Sequence, residues 1–147
     1  MSSTTTHAMR TLGAGGLLVI AAVHANWARG SAWPAPDRRA LADAIIGWEE
    51  MPGAASCLAV VGMLATGAAL VAGEPRDVPR LRRLGAAGVV AALATRGVIG
   101  FTPLVTPERF SPGFVRWNRR LYSPLCLALA ALCAGGLGMD TNEADAA

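Results

Sequence analysis

Residues 52–72 read PGAASCLAVVGMLATGAALVA, and this stretch decides the fold because it contains no charged side chain. A helix needs about 20 mostly apolar residues to cross a bilayer. The residues do not alternate with the period of two that a strand shows. They also lack the polar stripe that recurs about every 3.6 residues on a helix of a soluble bundle. The stretch therefore predicts a membrane-spanning helix.

Three further apolar stretches resemble this one, at 12–27, 84–104 and 121–139. The last contains no charged residue, and 84–104 contains only Arg96. The predicted fold class is all-α, a single membrane domain that forms an integral membrane four-helix bundle. A cleaved signal peptide is an open alternative for the first stretch, because Arg10 precedes it and Val23-His24-Ala25 stands near its end. Trp27 and the polar residues that follow favour an interfacial anchor instead.

The composition supports a membrane location. Of 147 residues, 53% are hydrophobic and 16% charged, against about 25% charged in an ordinary soluble domain. A short chain has much surface for its volume and would need more polar residues in water. High hydrophobicity also excludes intrinsic disorder.

Charge and cysteine usage exclude several partners and cofactors. The 13 basic residues are all arginine and are scattered between apolar runs, so they form no basic face for nucleic acid. Three cysteines lie inside apolar runs without CxxC spacing, which favours neither a disulfide framework nor a zinc site. We expect no metal and no cofactor, and the partners we expect are the lipid bilayer and a lipophilic small molecule. Recurring small residues such as Gly62 and Gly88 predict tight helix packing and also allow a homo-oligomer.

The first long loop predicts a short amphipathic helix on the membrane surface. Asp37 is positioned to cap a helix that begins after Pro36. Leu41, Ile45 and Trp48 would then share one face. A second pair, Arg39 and Asp43, is spaced for an i,i+4 ion pair.

The second long loop holds two starts of the form cap-then-proline, at Thr106-Pro107 and Ser111-Pro112. The second start predicts a helix that leads into the fourth span. The acidic, small-residue tail at 140–147 is predicted to be disordered.

Four spans place both termini and the loop 73–83 on one side of the membrane. That loop carries four arginines in eleven residues. By the positive-inside rule, this density favours cytoplasmic termini. The raw arginine count of the two sides mildly favours the reverse, and we weight the density more. We expect the protein in a plasma membrane.

Polar residues collect at the other end of the predicted bundle, which makes this end the candidate site. The predicted catalytic residues are Glu49, Glu50, His24 and Arg96, and the predicted ligand-binding residues are Trp27, Trp33, Trp48, Asn118 and Tyr122. Arg96 stands eight residues before the end of its predicted span, or about 12 Å deep at about 1.5 Å per residue. A charge at that depth is costly without a partner. Glu49 or Glu50 is the first candidate, and Tyr122 or Asn118 the next.

Each of these residues also has a structural interpretation. An aromatic belt explains tryptophans at an interface, and His24 can serve as a hydrogen-bonding residue between helices. Glu49 and Glu50 are adjacent, so on a helix they point about 100° apart and do not converge by themselves.

Several motifs carry a resemblance to a known family. They are His24-Ala25-Asn26-Trp27-Ala28-Arg29-Gly30, then Trp33-Pro34, Arg96-Gly97, and Trp117-Asn118-Arg119-Arg120-Leu121-Tyr122-Ser123-Pro124-Leu125. The chain resembles the bacterial domain-of-unknown-function 3995 family over roughly residues 12–137, with Asn26 where an aromatic residue is expected. The resemblance implies a small four-helix membrane protein and implies no activity.

Two classes of function follow from the candidate site. In the first, the polar end binds a lipophilic small molecule, or acts on one as an acid/base enzyme. Such an enzyme would act on a prenyl or other lipid-soluble substrate. It would isomerise the substrate, open an epoxide in it or cyclise it. Glu49 or Glu50 would donate the proton, His24 would accept one, Arg96 would orient the acid and the tryptophans would stabilise a developing cation. In the second class, the same residues fix one packing of a non-catalytic accessory or scaffold subunit.

Overall fold

The structure, a computed structural model, describes the backbone of residues 3–144 and the side chains of residues 3–137. Every regular element in this part of the chain is helical, which confirms the all-α prediction there. The helices are α1 (Ser3–Ala28), α2 (Arg38–Ile45), α3 (Ala54–Ala72), α4 (Pro79–Ile99), α5 (Pro112–Trp117) and α6 (Ser123–Ala144). A π-helical turn over Asn118–Tyr122 joins α5 to α6 in one continuous rod.

Three helical stretches are long and apolar enough to cross a membrane. They are Ser3–Ala28, Ala54–Ala72 and Pro112–Leu137. Helix α4 is not among them, and the sequence shows why. Three arginines stand within its first turn and a half and Arg96 stands near its end, so its uncharged part is short. The described chain thus has three membrane-compatible helices of the four that the sequence predicts.

The long helices pack side by side through small residues. Helix α1 lies between α3 and α6, α4 packs along α6, and α3 touches α4 only lightly. The core contains Ala14 and Leu17 of α1 together with Ala68, Ala86 and Cys133. A Cβ atom on Gly13 would come within 3.0 Å of Cys133 Sγ, so α1 and α6 approach closely because Gly13 has no side chain.

Hydrogen bonds define the two ends of this bundle. At the end we call the terminal end, Arg10 Nη2 donates to Gly136 O at 3.1 Å and Arg82 Nη1 donates to Gly73 O at 2.9 Å. At the opposite end, which we call the loop end, Tyr122 Oη donates to Ala44 O at 3.1 Å. The two long loops and α2 are at the loop end, where the sequence predicts the candidate site.

The capped helix in the first long loop is confirmed. Asp37 Oδ1 accepts a hydrogen bond of 2.8 Å from Ala40 N, and α2 follows directly. Leu41 is buried against Trp27 and Cys57. Helix α2 ends at Ile45, and Gly47 turns the chain with a φ of +75°. This turn needs a left-handed conformation that glycine adopts readily.

Two contacts expected of α2 are not formed. Trp48, predicted to continue its apolar face, lies beyond the helix and is 65% exposed. Arg39 forms its ion pair with Glu49 at 2.8 Å, and the predicted i,i+4 pair with Asp43 is wrong. The turn at Gly47 explains both, because it takes Trp48 off the helical face and brings Glu49 back beside Arg39.

Helix α4 lies five residues earlier than the predicted span 84–104. It starts at Pro79, which is favoured in a first turn, and ends before Gly100. Turns then follow, with Phe101 N donating to Val98 O and Thr102 N donating to Ile99 O at 3.0 Å. Arg96 is therefore in the last turn of α4, about 4.5 Å of helical rise from its end. Three helical residues follow Arg96, rather than the eight on which the predicted depth of about 12 Å depends.

The second long loop confirms one of its two predicted helix starts. Ser111 Oγ accepts from Phe114 N at 3.1 Å, with Pro112 at the start of α5. Thr106-Pro107 forms only a turn, closed by Phe110 N donating to Thr106 O at 3.0 Å. A hydrogen bond from the Thr106 side chain lowers the pKa of the exposed Glu108 carboxyl below its usual value.

The structure describes part of the C-terminal tail. Helix α6 continues to Ala144, into the tail 140–147 that we predict to be disordered, and residues 145–147 lie outside the described residues.

Candidate functional site

A cleft of about 160 Å³ lies at the loop end, between α1, α2 and the start of α3. Its walls are almost entirely apolar. The residues that line it are His24, Trp27, Ile45, Ile46, Met51, Pro52, Ser56, Cys57 and Val60. Of the nine candidate residues that the sequence predicts, this loop-end cleft contains His24 and Trp27.

Trp27 holds the wall of the cleft in place. Its side chain is 7% exposed, and its Nε1 donates a hydrogen bond of 2.7 Å to Trp33 O. Arg38 at the start of α2 donates from Nη1 to Trp27 O at 3.3 Å. Gly30 N also donates to Trp27 O, at 2.9 Å, so the Arg38 bond is a second one to this carbonyl and ties α2 to the end of α1.

His24 is the one ionisable nitrogen base in the cleft wall among the described residues. Its Nδ1 lies 2.9 Å from Ile20 O. A carbonyl oxygen only accepts, so Nδ1 carries the hydrogen and Nε2 of the neutral ring is left as an acceptor. The ring centroid is 4.8 Å from that of Trp27, with the planes tilted by 59°. In this tautomer the cleft-lining imidazole has Nε2 as its hydrogen-bond acceptor.

The two glutamates do not line the cleft. Glu49 Oε1 accepts from Arg39 Nη2 at 2.8 Å, and the Arg39 and Glu49 side chains are 73% and 81% exposed. Glu50 is exposed as well. A general acid must reach the atom that it protonates, and neither carboxylate shares the cleft wall with His24.

A second polar cluster joins the end of α4 to the π-helical turn; we call it the α4 junction. It consists of Arg96, Gly100, Asn118 and Ser123. Arg96 Nη2 donates to Asn118 Oδ1 at 2.8 Å, and Asn118 Nδ2 donates to Gly100 O at 3.0 Å. Asn118 is fully buried. Arg96 thus has an inward partner, and it is Asn118, one of the second-choice candidates, rather than Glu49 or Glu50.

The π-helical turn makes this junction possible. Ser123 N donates to Asn118 O, which is the i→i+5 bond of a π turn. Asn118 bonds toward α4, while Tyr122 in the same turn bonds to Ala44 O of α2 at 3.1 Å. The extra residue per turn therefore lets one rod bind two neighbouring helices. Such turns are frequent at functional sites.

Glycine allows α4 to approach the turn. A Cβ on Gly100 would clash with Ser123 Oγ and come within 2.6 Å of Asn118 Nδ2. A Cβ on Gly97 would lie 2.6 Å from Leu127 Cγ. The Ser123 hydroxyl is buried and has no hydrogen-bond partner. Close van der Waals packing therefore holds the α4 junction together in addition to its hydrogen bonds.

The remaining tryptophans face outward. Trp33, Trp48 and Trp117 are 62%, 65% and 46% exposed. Trp33 accepts the hydrogen bond of Trp27 through its backbone carbonyl, and neither Trp33 nor Trp48, which we expected in a ligand site, lines the cleft. Exposed tryptophans at one end are typical of an aromatic belt at an interface.

Some residues of the loop-end cleft and of the α4 junction were not identified from the sequence. Ser56 and Val60 line the cleft four residues apart on one face of α3, but a helix without charged residues and without a polar stripe gives no sign of which face lines a cleft. Gly97 and Gly100 next to Arg96 give a signal, since small residues three apart allow close approach. Within the described residues, no group of three or more His, Cys, Asp or Glu side chains is arranged to hold a metal ion.

Comparison with known proteins gives one match. The model of a family described as a protein of unknown function (DUF3995) matches residues 17–133. This range contains every residue of the loop-end cleft and of the α4 junction. No curated protein and no solved structure matches the chain.

Proposed function

We propose, from the premise that the chain belongs to the DUF3995 family, that it is a polytopic membrane protein whose loop-end cleft binds one end of a lipophilic small molecule. The observation that carries this proposal is the cleft itself, about 160 Å³ in volume, with apolar walls and His24 as an acceptor. An engineered apolar cavity of about 150 Å³ holds benzene, whereas drug-sized ligands need roughly 300–1,000 Å³. The cleft therefore fits a ring or a branched chain end, with the rest of the molecule in the bilayer.

The proposal includes a fourth spanning helix, α4. Its uncharged stretch, residues 84–95, is about 18 Å long at about 1.5 Å per residue, shorter than a hydrocarbon core of about 30 Å. Arg83 and Arg96 flank this stretch, and arginine side chains extend toward the headgroups. Local thinning of the bilayer accommodates the remaining mismatch.

The proposed location is the bacterial plasma membrane, with both termini cytoplasmic. The four arginines of loop 73–83 support this orientation. The loop end with its cleft and exposed tryptophans then faces the opposite side.

Ligand binding is better supported than acid/base catalysis. Glu49 is engaged with Arg39 near solvent, and Arg96 is engaged with Asn118. The residues assigned to an acid/base reaction are therefore divided between the protein surface, the cleft and the α4 junction. If the cleft binds no ligand, an accessory or scaffold role is favoured instead.

Photolabelling tests the proposal. The purified protein in lipid nanodiscs is irradiated with the small apolar probe trifluoromethyl-phenyl-diazirine, and the labelled residues are found by mass spectrometry. We expect label on cleft residues of wild type and its loss in Val60→Trp, which fills the cleft. Leu58→Trp is the matched control, because Leu58 is on the same helix, 56% exposed and outside the cleft. Equal cleft labelling in Val60→Trp and wild type would overturn the proposal.

A further inference from the structure

A second apolar space, a groove of about 410 Å³, lies on the outside of the bundle between α3 and α4. Gly62, Thr66 and Leu70 line it from α3, and Gly85 and Gly88 line it from α4. It exists because the two helices touch only lightly. A Cβ on Gly85 would be 2.8 Å from Leu70 Cδ1, whereas a Cβ on Gly62 or Gly88 would meet nothing within 4 Å. A Cβ on Gly67 would be 3.2 Å from Val89 Cγ2, so the helices stay in contact there and the open space lies at Gly62 and Gly88.

The groove extends over the depth of one leaflet. Gly62 stands ten residues before the end of α3 at Ala72, which is about 15 Å of helical rise. Half of a hydrocarbon core of about 30 Å is the same length. The groove thus extends from near the terminal-end surface to the middle of the proposed membrane.

The surface beside this groove is cationic. Loop 73–83 carries four arginines against two acids. Arg82 Nη1 donates to Gly73 O at 2.9 Å, which joins α4 to the end of α3 beside the groove. Arg80 is exposed in the first turn of α4, and Arg76 is 84% exposed and forms an ion pair of 3.0 Å with Glu74. Anionic headgroups are attracted to such juxtamembrane arginines.

The shape of the groove favours a thin chain over a helix. Large side chains interrupt the glycines along the groove: Met63, which is 67% exposed, and Leu70 line it from α3, and Val89 lines it from α4. A helix with its side chains is about 10 Å across, and helices that pack on glycine need a flat face of small residues. The groove instead has these large side chains among its glycines.

We propose that the groove between α3 and α4 holds an acyl chain of an anionic phospholipid, with the headgroup phosphate at the arginines of loop 73–83. The groove and the positive charge belong to the same leaflet, and this coincidence carries the proposal. The site lies at the opposite end from the loop-end cleft and does not depend on a ligand there, but it rests on the proposed membrane location of α3 and α4.

Native mass spectrometry of the detergent-purified protein tests the proposal. Phosphatidylglycerol and phosphatidylcholine with identical acyl chains are titrated separately, and bound lipid is counted. We expect wild type to retain phosphatidylglycerol in preference. Gly88→Leu, which fills the groove, should weaken its binding at least about fivefold, a change of about 1 kcal/mol. Gly15→Leu is the matched control, because a Cβ on Gly15 of α1 also meets nothing within 4 Å.

A charge variant separates the headgroup from the tail. Arg76→Gln combined with Arg80→Gln should remove the preference for phosphatidylglycerol and leave phosphatidylcholine binding unchanged. Unaltered phosphatidylglycerol binding by Gly88→Leu would overturn the proposal. Loss of a dimeric species in Gly88→Leu without loss of lipid would also overturn it, because a second copy would then occupy the groove.

Discussion

The guanidinium of Arg96 donates a hydrogen bond of 2.8 Å from Nη2 to Oδ1 of Asn118, across the boundary between α4 and the π-helical turn. Asn118 in turn donates a hydrogen bond of 3.0 Å from Nδ2 to Gly100 O. The last carbonyl groups of a helix have no intrahelical partner, so a buried side chain here satisfies the end of α4. The positive charge of Arg96 in the last turn is favourable to the helix dipole as well.

Replacing Asn118 should therefore weaken the whole junction. Asn118→Leu keeps a similar volume but leaves Gly100 O and the Arg96 guanidinium without this partner. We expect a loss of about 1–3 kcal/mol in the free energy of unfolding, measured by denaturation in detergent micelles. Arg116→Ala in the neighbouring α5 is the control, because Arg116 is exposed. Equal stability of Asn118→Leu and the control would show that the junction contributes little.

The close contact between Gly100 and Ser123 gives a coupled prediction. Gly100→Ala introduces a Cβ that clashes with Ser123 Oγ, and overpacking of this kind costs about 1–3 kcal/mol. Ser123→Ala should be nearly neutral by itself, since the hydroxyl is buried without a partner. The double variant should recover part of the loss, and thermal unfolding of the four proteins measures the coupling. Additive effects would contradict the packing described for this pair.

The ion pair between Arg39 and Glu49 should contribute little. Both side chains are more than two-thirds exposed, and exposed pairs are worth about 0–1 kcal/mol. Glu49→Gln should change the melting temperature only slightly and should leave diazirine labelling of the cleft unchanged. Glu50→Gln should behave in the same way. Loss of cleft labelling in either variant would instead support a carboxylate that acts in the cleft.

The indole hydrogen bond of Trp27 should be measurable with a matched pair of tryptophans. Trp27→Phe removes the 2.7 Å bond from Nε1 to Trp33 O, and we expect a loss of about 1 kcal/mol. Trp33→Phe should be neutral, because Trp33 contributes only its backbone carbonyl and its side chain is 62% exposed. Chemical denaturation compares the two. A larger effect of Trp33→Phe would contradict this assignment.

Local signals in the sequence predicted local structure well. Asp37 before α2 and Ser111-Pro112 before α5 were identifiable because a capping side chain acts on the next turn of its own chain. The apolar runs of α3 and α6 were identifiable by their length and lack of charge. The position of His24 and Trp27 at the loop end follows from their place at the end of an apolar run.

Long-range features were not predictable in the same way. The end of α4 was placed at residue 104 because residues 97–105 are apolar, whereas Gly100 and the turns after it end the helix at Ile99. The choice of Asn118 over Glu49 as the partner of Arg96 depends on the π-helical turn, which no residue of that segment signals. The volume of the cleft depends on how α2 lies against α1 and α3, which the sequence of each helix does not define.

Two native cysteines allow a decisive measurement of the cleft in the unmodified chain. Cys57 lines the cleft and is 4% exposed, whereas Cys133 is fully buried in the core against Gly13. In membrane vesicles treated with the small lipophilic reagent N-ethylmaleimide, we expect mass spectrometry to find Cys57 modified well before Cys133. Val60→Trp should slow the modification of Cys57, and Leu58→Trp should not. Equal protection of Cys57 and Cys133, or no effect of Val60→Trp, would contradict an open cleft that admits lipophilic molecules.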